Sequence, residues 1–274
     1  MNPMAVILPL SVLGGLGLIF GVMLSYAGKM FEVTDDPVVS AIREVLPGAN
    51  CGGCSYTGCD LYAQAVAKGA AKPNMCTVGG AAVTVAISDI MGIKAEVKEK
   101  QVACVNCNGD FSKATFRYDY FGMDNCAAAM QLSGGGSKAC RYGCLGYGSC
   151  VGVCKFDAIN IVNGIAVVNK EKCAACGQCV KVCPKHIINF APYEGRSQVL
   201  CSSPQAGKDV RANCTVGCIA CKICEKTCEY DAIHVVDNLA VVDHDKCVGC
   251  NKCAEKCPMK TIRPSSKKRV MVHA

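Results

Sequence analysis

From Met4 to Ala27 the chain reads MAVILPLSVLGGLGLIFGVMLSYA, without one charged residue. At 1.5 Å per residue such a helix is about 36 Å long, enough to cross a bilayer core with tilt. The pattern predicts a transmembrane helix. A cleavable signal is the competing reading, but there is no basic n-region and the apolar run exceeds a typical h-region. The first charge, Lys29, flanks the C-terminal end and by the positive-inside rule places the body on the cytoplasmic side. Gly14, Gly15, Gly17 and Gly21 read equally well as a face for another helix or as ordinary membrane-helix glycine. Beyond it, Phe31 to Val45 reads as a polar linker entering a short helix, with Thr34 or Asp35 able to cap it ahead of Pro37. A second helix is expected from Asp60 to Lys68. The apolar segment between Val78 and Glu99 fits a helix or a βα element, and periodicity does not decide. The aromatic stretch FRYDYFGMDN reads as core, and Ser133–Ser137, SGGGS, as a flexible break. Further on, KFDAINIVNGIAVVNKEK and EYDAIHVVDNLAVVDHDK each hold two short apolar runs joined at Asn163-Gly164 or Asp237-Asn238, the turn chemistry of a tight β-hairpin.

These hairpins belong to an internal repeat. Cys140, Cys144, Cys150, Cys154, Cys173, Cys176, Cys179 and Cys183 recur at one constant offset as Cys214, Cys218, Cys224, Cys228, Cys247, Cys250, Cys253 and Cys257. Within it, CAACGQCVKVCP and CVGCNKCAEKCP are the run CxxCxxCxxxCP. Three closely spaced thiolates of that run hold irons of one cubane 4Fe-4S cluster, and the fourth reaches a neighbouring cluster. Each repeat is therefore read as a two-cluster ferredoxin-like module. The cross-over rule gives Cys173, Cys176 and Cys179 their fourth ligand in Cys154, and sends Cys183 to Cys140, Cys144 and Cys150. In the second module Cys247, Cys250 and Cys253 take Cys228, and Cys257 joins Cys218, Cys221 and Cys224. The modules differ at one point: Tyr147 stands where the second has Cys221, so the first is expected to use Cys140 through a longer loop, leaving Cys214 spare. Lys155 and Glu229 replace the proline that usually follows the fourth cysteine.

Upstream, LPGANCGGCSYTGCDLYAQAVAKG and a distant Cys76 give a further set, Cys51, Cys54, Cys59 and Cys76, whose glycines permit tight turns around a cluster. Zinc would satisfy the count alone. Cys104, Cys107 and Cys126 have no fourth partner at familiar spacing. They are expected to be structural thiols or, with Cys201 or Cys214, a sixth metal site.

The 25 cysteines are odd in number and sit in ferredoxin-type runs, which argues against a disulfide scaffold. The formal charge of +7 treats them as neutral. Each oxidised cluster with four thiolates adds two negative charges, so five clusters bring the total to about −3. With no aromatic-interleaved basic patch either, nucleic acid is not an expected partner. Lys267–Arg269 reads as a solvated tail, or less readily as a lipid or subunit contact. No nucleotide-binding glycine loop is present, so neither flavin nor NAD is expected in this chain. His186, His234, His244 and His273 are not spaced as a metal triad, and no Ser/His/Asp arrangement is legible.

The motif LPGANCGGCxxxGCxxYAxAV resembles the small 4Fe-4S domain found in the B subunit of the Rnf complex and in corrinoid iron–sulfur proteins. The preceding membrane helix and the tandem ferredoxin-like units are similar to the Rnf protein, over essentially the whole chain. The resemblance implies an α+β protein with one transmembrane helix (1–28), a linker and small 4Fe-4S domain (29–100), a Cys-containing connecting region (101–137) and two modules (138–200 and 201–274). It implies an electron carrier taking electrons from soluble ferredoxin and passing them to integral-membrane and flavin-bearing subunits of a ferredoxin:NAD oxidoreductase that exports Na+ or H+. On that reading the chain is single-pass in the cell (inner) membrane, holds five 4Fe-4S clusters, six if the leftover cysteines form a site, and has no bond-making centre of its own. The competing classes are an electron donor to a corrinoid-type system and a membrane-tethered zinc scaffold.

Overall fold

The structure, a computed structural model, describes residues 4–30 and 36–266. The uncharged N-terminal run forms helix α1 (Met4–Met30), long and apolar enough to cross a membrane, with Lys29 in its last turn. Helix α2 (Pro37–Val45) is capped by Asp36, whose Oδ1 accepts the Val38 N–H at 2.9 Å, with Pro37 in the first turn where its missing N–H costs nothing. Asp36 thus takes the role expected of Thr34 or Asp35, which lie outside the described residues. Helix α3 (Cys59–Ala67) packs on α2, and α4 (Gly80–Met91) settles the ambiguous apolar segment as a helix, ending at Gly92 in the left-handed conformation. Ile42, Leu46, Tyr62, Ala63, Val66 and Ile87 make the core of this small helical unit.

The remainder is two copies of one arrangement. In the first, strand β1 (Gln101–Val105) is followed by α5 (Cys126–Met130) and α6 (Ser149–Gly152). Hairpin β2 (Ile159–Val162)–β3 (Ile165–Val168), α7 (Gln178–Val182) and β4 (Ile188–Pro192) complete it. In the second, β5 (Gln198–Val199), α8 (Gly207–Asn213), α9 (Ile223–Thr227), hairpin β6 (Ile233–Val236)–β7 (Leu239–Val242), α10 (Lys252–Glu255) and β8 (Ile262–Arg263) follow. β1 pairs antiparallel with β4, Val105 opposite Ile188, and β5 pairs with β8, Val199 opposite Ile262. The hairpins turn at Asn163-Gly164 and Asp237-Asn238, all four at positive φ, as the two-residue loops require.

Two expectations are corrected. The aromatic stretch is surface rather than core: Phe121 is 96% exposed and Met123 73%. The SGGGS segment is packed rather than free. Ser137 and Lys138 are buried, and a Cβ at Gly136 would run into the Leu145 side chain.

The copies are tied by the buried Arg196, which donates to both Glu99 carboxylate oxygens at 2.9 Å and to the His244 carbonyl at 2.7 Å. Glu99 is half-exposed, so its pairing energy is partly screened. Glu99→Ala leaves the buried guanidinium without its carboxylate and is expected to cost about 1–2 kcal/mol, below the 3–5 of a fully buried pair. Chemical denaturation of the anaerobic holoprotein measures it.

Candidate metal centres

The described cysteines gather into six sets of four, leaving one apart. In the small unit, Cys59 opens α3 with its N–H donated to Asn50 Oδ1 at 2.8 Å. Tyr62 then fixes the distant partner, its hydroxyl donating to the Lys72 carbonyl at 2.8 Å and accepting the Met75 N–H at 3.3 Å. Burial pushes the Cys76 thiol up, and the neighbouring Cys59, Cys54 and Cys51 add to the rise. These are the four residues expected to act together.

In the first copy, Cys154, Cys173, Cys176 and Cys179 come together as expected. Burial, then Cys173, Cys176 and Cys154, push Cys179 up to about 11. Ala103 N–H donates to Cys173 Sγ and Ala158 N–H to Cys154 Sγ, each at 3.4 Å. The second copy brings together Cys228, Cys247, Cys250 and Cys253 around one cavity, and Cys218, Cys221, Cys224 and Cys257 around another. Burial pushes Cys224 up to about 11, with Cys218, Cys221 and Cys257 contributing.

The expected partnership of Cys140 with Cys144, Cys150 and Cys183 is not what the structure brings together. The cavity with those three is completed by Cys126, at the start of α5, whose N–H donates to Ser149 Oγ at 2.8 Å. Burial pushes Cys150 up to about 12, followed by Cys144, Cys126 and Cys183. Cys126 thus stands in for the thiol absent at Tyr147, whose ring packs on Tyr120 at 4.5 Å and whose hydroxyl bonds Ser137 at 3.0 Å. Cys140 instead lines a cavity with Cys107, Cys201 and Cys214 between the two copies. Burial raises Cys214, with Cys107 and Cys140 adding to it. Cys104 joins neither set: it is buried in β1 with its thiol on Gln198 Oε1 at 3.0 Å.

The central set has an internal symmetry. The offset that relates the repeats makes Cys140 and Cys214 equivalent, and the strand pairings make β1 equivalent to β5. Cys107 lies two residues beyond Val105, and Cys201 two beyond Val199. Each copy therefore contributes an equivalent pair. Between Cys107 and Cys140 the first copy carries a longer insertion than separates Cys201 from Cys214, and that insertion bears Cys126. The differing insertion hides the equivalence of β1 and β5 from a search at one offset. The unequal Cys107–Cys140 and Cys201–Cys214 separations are its only trace in the cysteine spacing.

The sets adjoin in order. Gln178 Nε2 donates to the Cys51 carbonyl at 2.8 Å, and a Cβ at Gly53 would lie 3.1 Å from Cys176 Cα. Lys155 Nζ donates to the Asn50 carbonyl at 3.3 Å, a contact a proline there could not make. Helices α6, α7, α9 and α10 carry Cys150, Cys179, Cys224 and Cys253, and each leads just past its end to a cysteine of the adjoining set, Cys154, Cys183, Cys228 and Cys257. The Cys218 N–H faces Cys201 across the boundary with the central set.

All four cavities are lined chiefly by thiols and apolar groups. Four thiolates in such surroundings require a cationic core, and sulfur-facing amides favour iron–sulfur ligation. The donor sets fit 4Fe-4S clusters.

Known proteins agree. Residues 46–78 match a family model described as a putative Fe-S cluster, and 166–189 and 240–263 match one described as a 4Fe-4S binding domain. Over 259 residues the chain is 48% identical to the B subunit of the Na(+)-translocating ferredoxin:NAD(+) oxidoreductase complex of Acetobacterium woodii, covering 94% of this chain and 78% of that one. It is 43% identical to the B subunit of the ion-translocating oxidoreductase complex of Methanosarcina acetivorans, covering 92% and 96%. It is 42% identical to the B subunit of the proton-translocating ferredoxin:NAD(+) oxidoreductase complex of Clostridium ljungdahlii, covering 94% and 92%. With such identity along nearly its whole length, the chain belongs to the family of B subunits of Rnf-type ion-translocating oxidoreductase complexes.

Proposed function

We propose that this chain is the membrane-anchored electron relay of a ferredoxin:NAD oxidoreductase complex that moves Na+ or H+, and that it holds six 4Fe-4S clusters in single file. The observation that carries the reading is the gathering of the cysteines into six adjoining sets of four. When bound, each cluster takes up and releases one electron with little structural change.

The chain's own residues do the rest. Backbone amides of Gly79, Ala103, Ala158, Ala166 and Ala232 donate to cysteine sulfurs at 3.4 Å, stabilising negative charge there. Apolar side chains such as Ile159, Ile188 and Ile233 keep water out. The small unit follows the membrane helix directly, so the Cys51 set is the exit towards integral-membrane and flavin-bearing subunits. The Cys228 set is the distal end, where soluble ferredoxin docks, and Lys29 on the α1 flank supports a cytoplasmic position for that body. The pairing of β1 with β4 and of β5 with β8 supports modules that begin near residues 101 and 195.

The cysteine runs favour clusters over zinc, because CxxCxxCxxxCP is the spacing of two-cluster ferredoxins. The anaerobically purified chain is expected to be brown, to bleach with dithionite and to contain about 24 iron and 24 sulfide. About 20 of each would remove the central set; a colourless zinc protein would end the reading altogether.

A further inference from the structure

The central set, symmetric in its cysteines, is asymmetric in charge. Lys138 is 2% exposed and lines the same cavity as Cys107, Cys140 and Cys214. Its Nζ donates to the Gly109 carbonyl at 2.8 Å and the Gly164 carbonyl at 3.0 Å, and sits 5.8 Å from the Phe116 ring centroid. Among the described residues these donors face carbonyls and not carboxylates. An ammonium buried without a carboxylate is costly unless negative charge lies nearby. Four thiolates on an oxidised cluster provide it, with two net negative charges.

The other copy shows that the charge is not needed for the local tie. Lys138 joins the hairpin turn at Gly164 to the loop beyond Cys107. In the second copy Asn238, the equivalent of Gly164, joins the hairpin turn to the loop beyond Cys201 through a neutral amide on the Pro204 carbonyl at 3.2 Å. The position equivalent to Lys138 is Ala212. A neutral group makes the corresponding connection there.

We propose that Lys138 is a positioning residue for the electron: its buried ammonium stabilises the reduced state of the central Cys107/Cys140/Cys201/Cys214 cluster, biasing residence towards that cluster at the boundary between the copies. This rests on the six-cluster reading. Reduction adds one electron, which interacts favourably with a fixed cation in a poorly screened site. Removal of the cation therefore lowers the potential.

The test uses the full chain, purified anaerobically, with iron and sulfide analysis and potentiometric EPR. The central signal is identified as the one absent from Cys214→Ser. In Lys138→Met, with iron retained, the reduced-to-oxidised ratio of that signal at the wild-type midpoint is expected to fall tenfold, about 59 mV for one electron. Lys138→Arg should stay within twofold. An unchanged ratio with full iron overturns the proposal. If Lys138→Met loses iron, Lys138→Gln is read in the same way, and loss of iron from both neutral variants also overturns it. Failure of the six-cluster reading is separate, because it appears as about 20 iron in the wild type.

Discussion

Cys214→Ser is expected to remove about 4 of about 24 irons and to lower ferredoxin-dependent NAD reduction by the assembled complex to less than a tenth. The residue belongs to neither CxxCxxCxxxCP run. Its effect follows from position: Cys214 lines the cavity with Cys107, Cys140 and Cys201 at the boundary between the copies. A relay in single file has no detour around a missing member. The remaining centres should still bleach with dithionite, which separates a broken path from a misfolded protein. Cys104→Ser provides the contrast, since its thiol bonds Gln198 and joins no set, and full iron content is expected. Retention of full NAD reduction by Cys214→Ser after losing four irons would sink the serial arrangement.

The second large effect is expected at a glycine. Gly53 lets the Cys51 loop approach the first module, and a Cβ there would lie 3.0 Å from Thr77 Oγ1 and 3.1 Å from Cys176 Cα. The Cys176 contact is backbone, so it cannot rotate away as a side chain would. Gly53→Val puts a Cβ with two methyl groups on it into this already tight approach and should push the small unit off the module, weakening the Gln178 and Lys155 hydrogen bonds to residues 51 and 50. The small unit has its own core around Ile42, Tyr62 and Ile87 and is expected to keep its cluster. Iron should therefore stay near the wild-type value while NAD reduction falls at least tenfold and the interface becomes open to limited proteolysis. Wild-type turnover in this variant would show that electrons do not leave through the Cys51 set.

Much of this was legible in the residues. The uncharged run marks α1, and Asn163-Gly164 and Asp237-Asn238 mark the hairpins, because positive φ at both turn positions favours those residue types. Wherever the spacing is regular, the structure gathers the cysteines that the cross-over pattern groups, since α7, α9 and α10 are single turns with cysteines in and just beyond them. The pattern failed at Cys140. The spacing rule there had to choose a loop ligand for the position occupied by Tyr147, and the true neighbour, Cys126, arrives from an insertion outside the repeat. Lys155 read as a departure from pattern, yet the structure uses its ammonium to dock the small unit.

By itself, then, the sequence determined the anchor, the duplicated ferredoxin-like modules and the local partners of most cysteines, because ligands carried on one short run meet through backbone geometry alone. Only the tertiary structure decided how Cys107, Cys126, Cys140, Cys201 and Cys214 divide. Those partnerships depend on how β1 and β5 pair with β4 and β8 and on how the two copies pack. Thiols far apart in the chain become neighbours only when whole elements dock, and no spacing along the sequence encodes that distance.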